Sequence, residues 1–526
     1  MSPRITRRRL LGTSAAAVAA AAGGGWLARS GLLGPGEPGR LLPSQVPLPR
    51  PYQVPLPVPP VLAPVRSDAT TDYHEITQRP ATLSILPGLP TEAWTYHGSF
   101  PGPTIRSRTG RRTVVRHRNT LPHPTVVHLH GGHTPADSDG YPADLIMPAG
   151  GSTPAHVGHH AGHHAGHHGG HEPGRISVGE RDYTYPMRQR AASLWYHDHR
   201  HGHTGVAVWR GLAGFHLVHD DEEDALRLPA GDRDIPIMIA DRSFAANGSL
   251  RYPLIDPDLR TPGVTDPYMN GVLGDVILVN GAPWPVLRTD RARYRLRLLN
   301  ASNARRYRLA LDPPAPGGGL VQIGSDGGLL HRPLTHHTID IAPAERFDVV
   351  VDFSRYRPGT RVRLVNRLGT GQTAHVMAFD ITDATHDDPG LPERLSHIEP
   401  LDPARAAVTR TFHFQLRPDH GWTINGHPYR PGRPLARPRL GTTEVWRLIS
   451  DFHHPVHVHL DPFQVISRNN RAPGPYDAGW KDTVDVRPSE AVEIAIRFTD
   501  YAGTFMLHCH NLEHEDMAMM ADFTTT

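Results

Sequence analysis

A single cysteine in 526 residues, Cys509, stands between two histidines in His508-Cys509-His510, and the same stretch runs on to His514 and Met519. A thiolate enclosed by imidazoles, with a thioether close behind, is a soft donor set that suits copper best. In a strand, successive side chains point to opposite faces, so Cys509 faces one way while His508 and His510 share the other. One strand then touches two metal centres. A lone cysteine is usually a buried, inert thiol, but here four other metal-ligating residues crowd the same short segment.

Three more segments repeat the spacing. His128-Leu129-His130, His197-Asp198-His199 and His457-Val458-His459 each place two histidines at i and i+2, on one face of a strand. One such pair is a weak signal. Four, with the sole cysteine among them, are a strong one, and His454 precedes the third pair by three residues.

In this order and at these separations the four motifs resemble the copper-binding motifs of the multicopper oxidases. The likeness runs from about Pro55 to the C-terminus. The segments Phe100-Pro101-Gly102-Pro103-Thr104-Ile105 and Gly132-His133-Thr134-Pro135-Ala136-Asp137-Ser138-Asp139-Gly140 are similar to the bacterial laccase branch, which includes spore-coat laccase, bilirubin oxidase and phenoxazinone synthase. The resemblance implies four copper ions. His454, Cys509, His514 and Met519 match the type 1 ligands, and His128 and His457 the type 2 ligands. His130, His197, His199, His459, His508 and His510 match the coupled type 3 pair. Met517 and Met520 are also near, and only the family spacing of ten residues after Cys509 selects Met519; the alternatives are core fillers.

The reaction implied is laccase-type: one-electron oxidation of phenolic or aromatic amine donors, coupled to four-electron reduction of O2 to water. Electrons pass through Cys509 to His508 and His510. His514, which lies nearest the surface in relatives, is the expected point of electron arrival. Asp139 and Glu515 match acids that supply protons in relatives, and carboxylates near metal-bound oxygen can do so; the plain alternative is solvated loop acids. A second reading is a metal oxidase acting on Cu(I), Mn(II) or Fe(II). Cuprous oxidases of the family carry a Met-rich segment over the type 1 site, whereas this chain has ten methionines and no such cluster. A non-catalytic exported copper protein is a third reading, disfavoured because no ligand position is missing.

Short alternating or β-branched runs such as Thr113-Val114-Val115-Arg116 and Val349-Val350-Val351, separated by turn residues, predict an all-β chain. The family architecture is three cupredoxin-like Greek-key β-sandwich domains, expected at 55–220, 221–388 and 389–526. The middle one is free of motifs and is expected to space the outer two. The acidic run at 220–224 and the stretch 387–403 mark the joints.

Thr6-Arg7-Arg8-Arg9 leading into an Ala-rich apolar run reads as a twin-arginine export signal over residues 1–30, so the protein is expected to be exported to periplasm, cell surface or medium. An uncleaved signal would be its sole membrane contact. A Pro-rich linker follows at 31–54, whose composition favours extended polyproline backbone serving as tether or strap. Residues 156–171 hold His159-His160, His163-His164 and His167-His168 among glycines, a loop able to gather extra metal ions. The net charge is +3, with basic residues dispersed among acids, and no clustered basic face or nucleic-acid motif is present. The expected partners are small aromatic donors and O2, for a monomeric enzyme.

Overall fold

Strands with one buried face alternate, as in Arg112–Asn119, where Thr113, Val115, His117 and Asn119 point inward. Strands at the middle of the molecule are buried on both faces, as in Ala192–Asp198. The two patterns show which sheets face solvent and which lie against another sheet. The computed structural model describes residues 38–150, 174–386 and 390–526.

The strands form three sheet pairs in chain order. In the first pair, a five-stranded sheet centred on Thr71–Leu83 faces a four-stranded sheet ordered Gly102–Arg108, Ala213–His219, Ala192–Asp198, Val127–His130. The second pair joins a seven-stranded sheet, Arg293–Asn300 and Arg346–Asp352 at its centre, to a five-stranded one. The third pair opposes a five-stranded sheet to a four-stranded one ordered Thr483–Val486, His454–Val458, Gly503–Cys509, Met520–Thr525. Each pair contains a parallel neighbour reached by a crossover, such as Thr71–Leu83 with Arg112–Asn119 and Val408–Arg417 with Thr443–Ser450. Each pair also encloses its own core: Tyr183, Tyr196 and Leu129 in the first, Ile237, Val349 and Phe379 in the second, Trp446, Ile494 and Phe523 in the third.

Residues 38–54, expected to be part of a linker, are strapped along the second sheet pair. Arg40–Leu42 pairs in parallel with Val272–Gly274. Further on, Gln45 N–H donates to Phe244 O and Tyr52 N–H to Trp284 O, while Tyr52 Oη lies 2.8 Å from His375 Nδ1. The prolines remove donors at alternate points, and the remaining N–H groups find partners on the sheet. The export signal and the His-rich loop lie outside the described residues. Among the described residues no helix is long and apolar enough to cross a membrane.

Candidate metal centres

The four-stranded sheets of the first and third pairs bring the paired histidines together. His128 and His130 lie on Val127–His130, and His197 lies on Ala192–Asp198 with His199 just beyond. His457 lies on His454–Val458 with His459 beyond, and His508 on Gly503–Cys509 with His510 beyond. Strand register sets His128 opposite His197 and His457 opposite His508. Between the two halves, His128 Nε2 is 3.4 Å from His457 Nε2. His508 Nε2 is 3.3 Å from His199 Nε2 and 3.2 Å from His459 Nε2. All eight rings are at most 1 % exposed.

Burial first, and neighbouring imidazoles second, hold His128, His130, His199, His457, His459 and His510 well below the ordinary histidine range. These rings are therefore neutral and carry a lone pair for a metal. Hydrogen bonds decide which nitrogen keeps it. His128 Nδ1 donates to Asp139 O at 2.5 Å, His457 Nδ1 to Asp482 O at 2.8 Å and His197 Nδ1 to Asp198 O at 2.7 Å, which leaves Nε2 free in each. His130 is turned the other way: Nε2 donates to Asp482 Oδ1 at 3.1 Å. The leftover atoms His130 Nδ1 and His197 Nε2, and both nitrogens of His510, have no hydrogen-bond partner among the described residues. Buried polar atoms without a partner are costly, and a cation shared by these lone pairs removes the cost. The donor set fits copper.

The second cluster is smaller. His454 Nδ1 and His514 Nδ1 are 3.1 Å apart, and Cys509 Sγ lies 3.4 Å from the first and 3.6 Å from the second. His454 Nε2 lies 3.2 Å from Asp451 Oδ1, and His514 Nε2 donates to Asn270 O at 3.2 Å, so both rings turn Nδ1 toward the sulfur. Cys509 is buried and unpaired by any disulfide. Burial pushes its thiol well above the ordinary range, so the thiolate forms only when a metal replaces the proton.

Register separates Met519 from Met520. His508 pairs with Met520 and Cys509 N–H donates to Met519 O at 3.1 Å, which makes Met519 the cross-strand neighbour of Cys509, on its face of the sheet. Met519 shares a buried cluster with Cys509, whereas Met520 packs with Tyr141, Tyr429 and Met506. Ala518, at φ 79°, turns the chain between the helix Leu512–Asp516 and the strand Met520–Thr525.

Both expected proton-handling acids are inside the protein, not on solvated loops. Asp139 Oδ2 accepts from His459 Nδ1 at 2.7 Å, and its other oxygen has no partner. Burial pushes this carboxyl well above the ordinary range. Glu515 Oε2 is 3.2 Å from His508 Nδ1, and Oε1 is 3.7 Å from His199 Nε2. Both acids are 1 % exposed.

His514, the expected point of electron arrival, is fully buried. Trp422 stacks on it at 3.7 Å between ring centroids, and Trp422 Nε1 donates to Met269 O at 3.1 Å. Large rings from a neighbouring hairpin close over the site. Other neighbours were missed from the sequence altogether: Trp195, stacked on His197 at 4.2 Å, and Asp482, which meets both His130 and His457. Aromatic residues and acids are common in strands and loops, and nothing in their spacing marks these three.

Comparison with known proteins agrees with the geometry. Two multicopper oxidase family models match, one at residues 77–156 and 159–223 and the other at 400–526, and together they contain every expected ligand. A laccase from Bacillus stratosphericus is 37 % identical, with 88 % of this chain and 96 % of that protein covered. A bilirubin oxidase from Albifimbria verrucaria is 35 % identical over 86 % of this chain and 76 % of its own length. The crystal structure of a laccase from Pediococcus acidilactici superposes with a TM-score of 0.78 at 32 % identity, covering 93 % of this chain and 96 % of that one. The chain belongs to the multicopper oxidase family, and its three sheet pairs are cupredoxin-like β-sandwiches. Within that family it is of the bacterial laccase type, a copper oxidoreductase that uses O2.

Proposed function

We propose that this oxidase holds four coppers: one at His454, Cys509, His514 and Met519, one at His128 and His457, and a coupled pair at His130, His197, His199, His459, His508 and His510. Copper bound there would supply the redox chemistry, one-electron acceptance from a donor and four-electron reduction of O2 with four protons to two waters. The rest falls to the chain's own residues. His508, Cys509 and His510 are consecutive, so one backbone segment joins the donor side to the oxygen side. Asp139 and Glu515, set against His459 and His508, hold the protons that the reaction consumes. Trp422 keeps water off His514.

The donor in this reading is a phenol or aromatic amine. A cavity of about 380 Å³ carries that choice: it is lined by His420, His427, Tyr429, Arg430, Arg433 and Met520, with no carboxylate in its wall. Met520 follows Met519 directly, so a molecule in the cavity sits against the segment that closes the Cys509 site. The volume accepts an aromatic ring. Two arginines repel Cu(I), Mn(II) and Fe(II), which disfavours the metal oxidase alternative. The test compares oxygen consumption, as kcat/KM, with 2,6-dimethoxyphenol, bilirubin, Cu(I) and Fe(II), using Cys509→Ser as the blank. The phenol is expected to exceed either metal ion at least tenfold; a metal ion that matches it overturns the assignment.

The reading also includes division at residues 220 and 388, export as a monomer through the twin-arginine pathway, and copper gathering by residues 156–171. Arg7-Arg8-Arg9 before an apolar run supports export, and six histidines in adjacent pairs support the loop's role. Replacing Arg8 and Arg9 by lysine should block export. Deleting residues 156–171 should slow copper loading at limiting copper, and unchanged loading removes that role.

A further inference from the structure

The middle sandwich supplies no expected ligand, yet it reaches the oxygen-side cluster through buried residues, Arg346 at their centre and Asp326 beside it, whose Oδ2 accepts from the backbone N–H groups of Asp482 and Thr483 at 3.3 Å. Arg346 opens the strand Arg346–Asp352 and is 0 % exposed. Its Nη1 and Nη2 donate side by side to Asp482 Oδ1 and Oδ2, at 2.7 and 2.5 Å. The same groups donate to Ala344 O and Asp326 O, each at 3.1 Å, and Nε donates to Ser193 O at 2.9 Å. All five guanidinium N–H groups are thus in use. Ser193 belongs to the first sandwich, Asp482 to the third and Arg346 to the second, so one side chain ties the three together.

Asp482 passes this fixation to two rings. Its Oδ1 accepts from His130 Nε2 at 3.1 Å, and its backbone oxygen accepts from His457 Nδ1 at 2.8 Å. Those two rings stack with centroids 3.6 Å apart and planes 17° from parallel. Gly131, at φ 82°, lies beneath the pair. A Cβ there would stand 2.5 Å from Arg346 Nη2 and 2.7 Å from Asp482 Oδ2, so the position has no room for a side chain. Arg346 is itself held from behind. Asp326 Oδ1 accepts from its backbone N–H at 2.7 Å, and the buried Lys481 Nζ lies 3.1 Å from both Asp326 Oδ2 and Glu345 Oε1.

Burying this much charge is a poor way to gain stability, since desolvation offsets most of the attraction. A guanidinium fork on a carboxylate does fix direction, which a packed apolar pair would not. We propose that Arg346 is a positioning residue for the oxygen-side cluster: through Asp482 it orients His130 and His457, so that the type 2 copper is held tightly only when the middle sandwich is docked. The proposal rests on the ligand assignment given above.

The test uses the copper-loaded full chain and three variants, Arg346→Met, Arg346→Lys and Gly131→Ala. The readouts are copper per chain after dialysis against graded chelator, the type 2 electron paramagnetic resonance signal and the type 1 visible absorbance. Arg346→Met should keep the type 1 absorbance and lose the type 2 signal at a chelator concentration roughly 10- to 100-fold below that for the parent chain, the range found for residues that orient metal ligands. Arg346→Lys keeps the charge but lacks the fork, and should also lose it early. Should Arg346→Met give no type 1 absorbance, and so no folded chain, Gly131→Ala decides, because it displaces the pair while leaving both charges. Unchanged type 2 retention in a folded variant overturns the proposal. A parent chain with no type 2 signal would instead overturn the four-copper reading.

Discussion

The two proposed copper sites are built in opposite ways. The type 1 donors His454, Cys509 and His514 all come from the third sandwich, two of them from residues five apart in sequence. The eight-histidine cluster takes four rings from the first sandwich and four from the third, across pairs such as His128 with His457 and His199 with His508. The first site can form when one sandwich folds. The second exists only once distant parts of the chain have docked, so its geometry is also a record of domain packing.

Changing Cys509 to serine separates the two most sharply. Cys509→Ser should abolish the type 1 absorbance and bring turnover to background, while the cluster keeps its type 2 signal and the chain keeps its fold. Asp139→Asn acts on the oxygen side alone: kcat should fall about 100-fold, a usual value for a lost proton-transfer group, with the rate of type 1 reduction under anaerobic conditions unchanged. Removing copper measures how far docking depends on metal. An ion present at a thousand times its Kd contributes about 4 kcal/mol, or roughly 4 °C in Tm for a chain of this length. Stripping all copper should therefore lower Tm by at least that amount, and the Cys509→Ser chain, lacking only the type 1 ion, should retain most of the difference.

The smallest effect concerns a histidine outside both sites. His117 is packed among Tyr96, Tyr183 and Tyr196, and burial lowers its pKa to about 3. Between that value and the ordinary 6.5 the unfolded chain binds a proton that the folded chain refuses. Stability is thus full above pH 6.5 and falls as pH drops through the window, by about 1.4 kcal/mol per pH unit for each such ring. His117→Phe should flatten the urea midpoint between pH 7 and pH 5 by that share. An unchanged slope would mean that other buried histidines, such as His216, whose pKa burial also lowers to about 3, set the acid limit.

The same contrast explains what could be read from the sequence. His-x-His spacing is local, and a strand converts it directly into two rings on one face, so all eight histidines, Cys509 and His514 stood out. The choice of Met519 over Met517 and Met520 rested on family spacing, and register with Cys509 gives a physical basis for preferring it to Met520. Asp482 and Arg346 were silent because they are 136 positions apart and meet only when two sandwiches dock. The burial of His514 was hidden by distance along the chain within the third sandwich, since Trp422 arrives from a hairpin some ninety residues earlier. The Pro-rich stretch was legible as extended backbone, a tether or strap, but composition is blind to the sheet edge that receives it.

Two of the eight tryptophans lie flat on proposed copper ligands, Trp422 on His514 and Trp195 on His197. Indole emission is quenched by a cupric ion at such short range, so the enzyme carries an optical gauge at each site. Trp422→Phe should remove the part of the fluorescence that responds to type 1 loading, and Trp195→Phe the part that responds to the cluster. Titrating copper into the stripped protein would then show, without an assay of turnover, which site fills first.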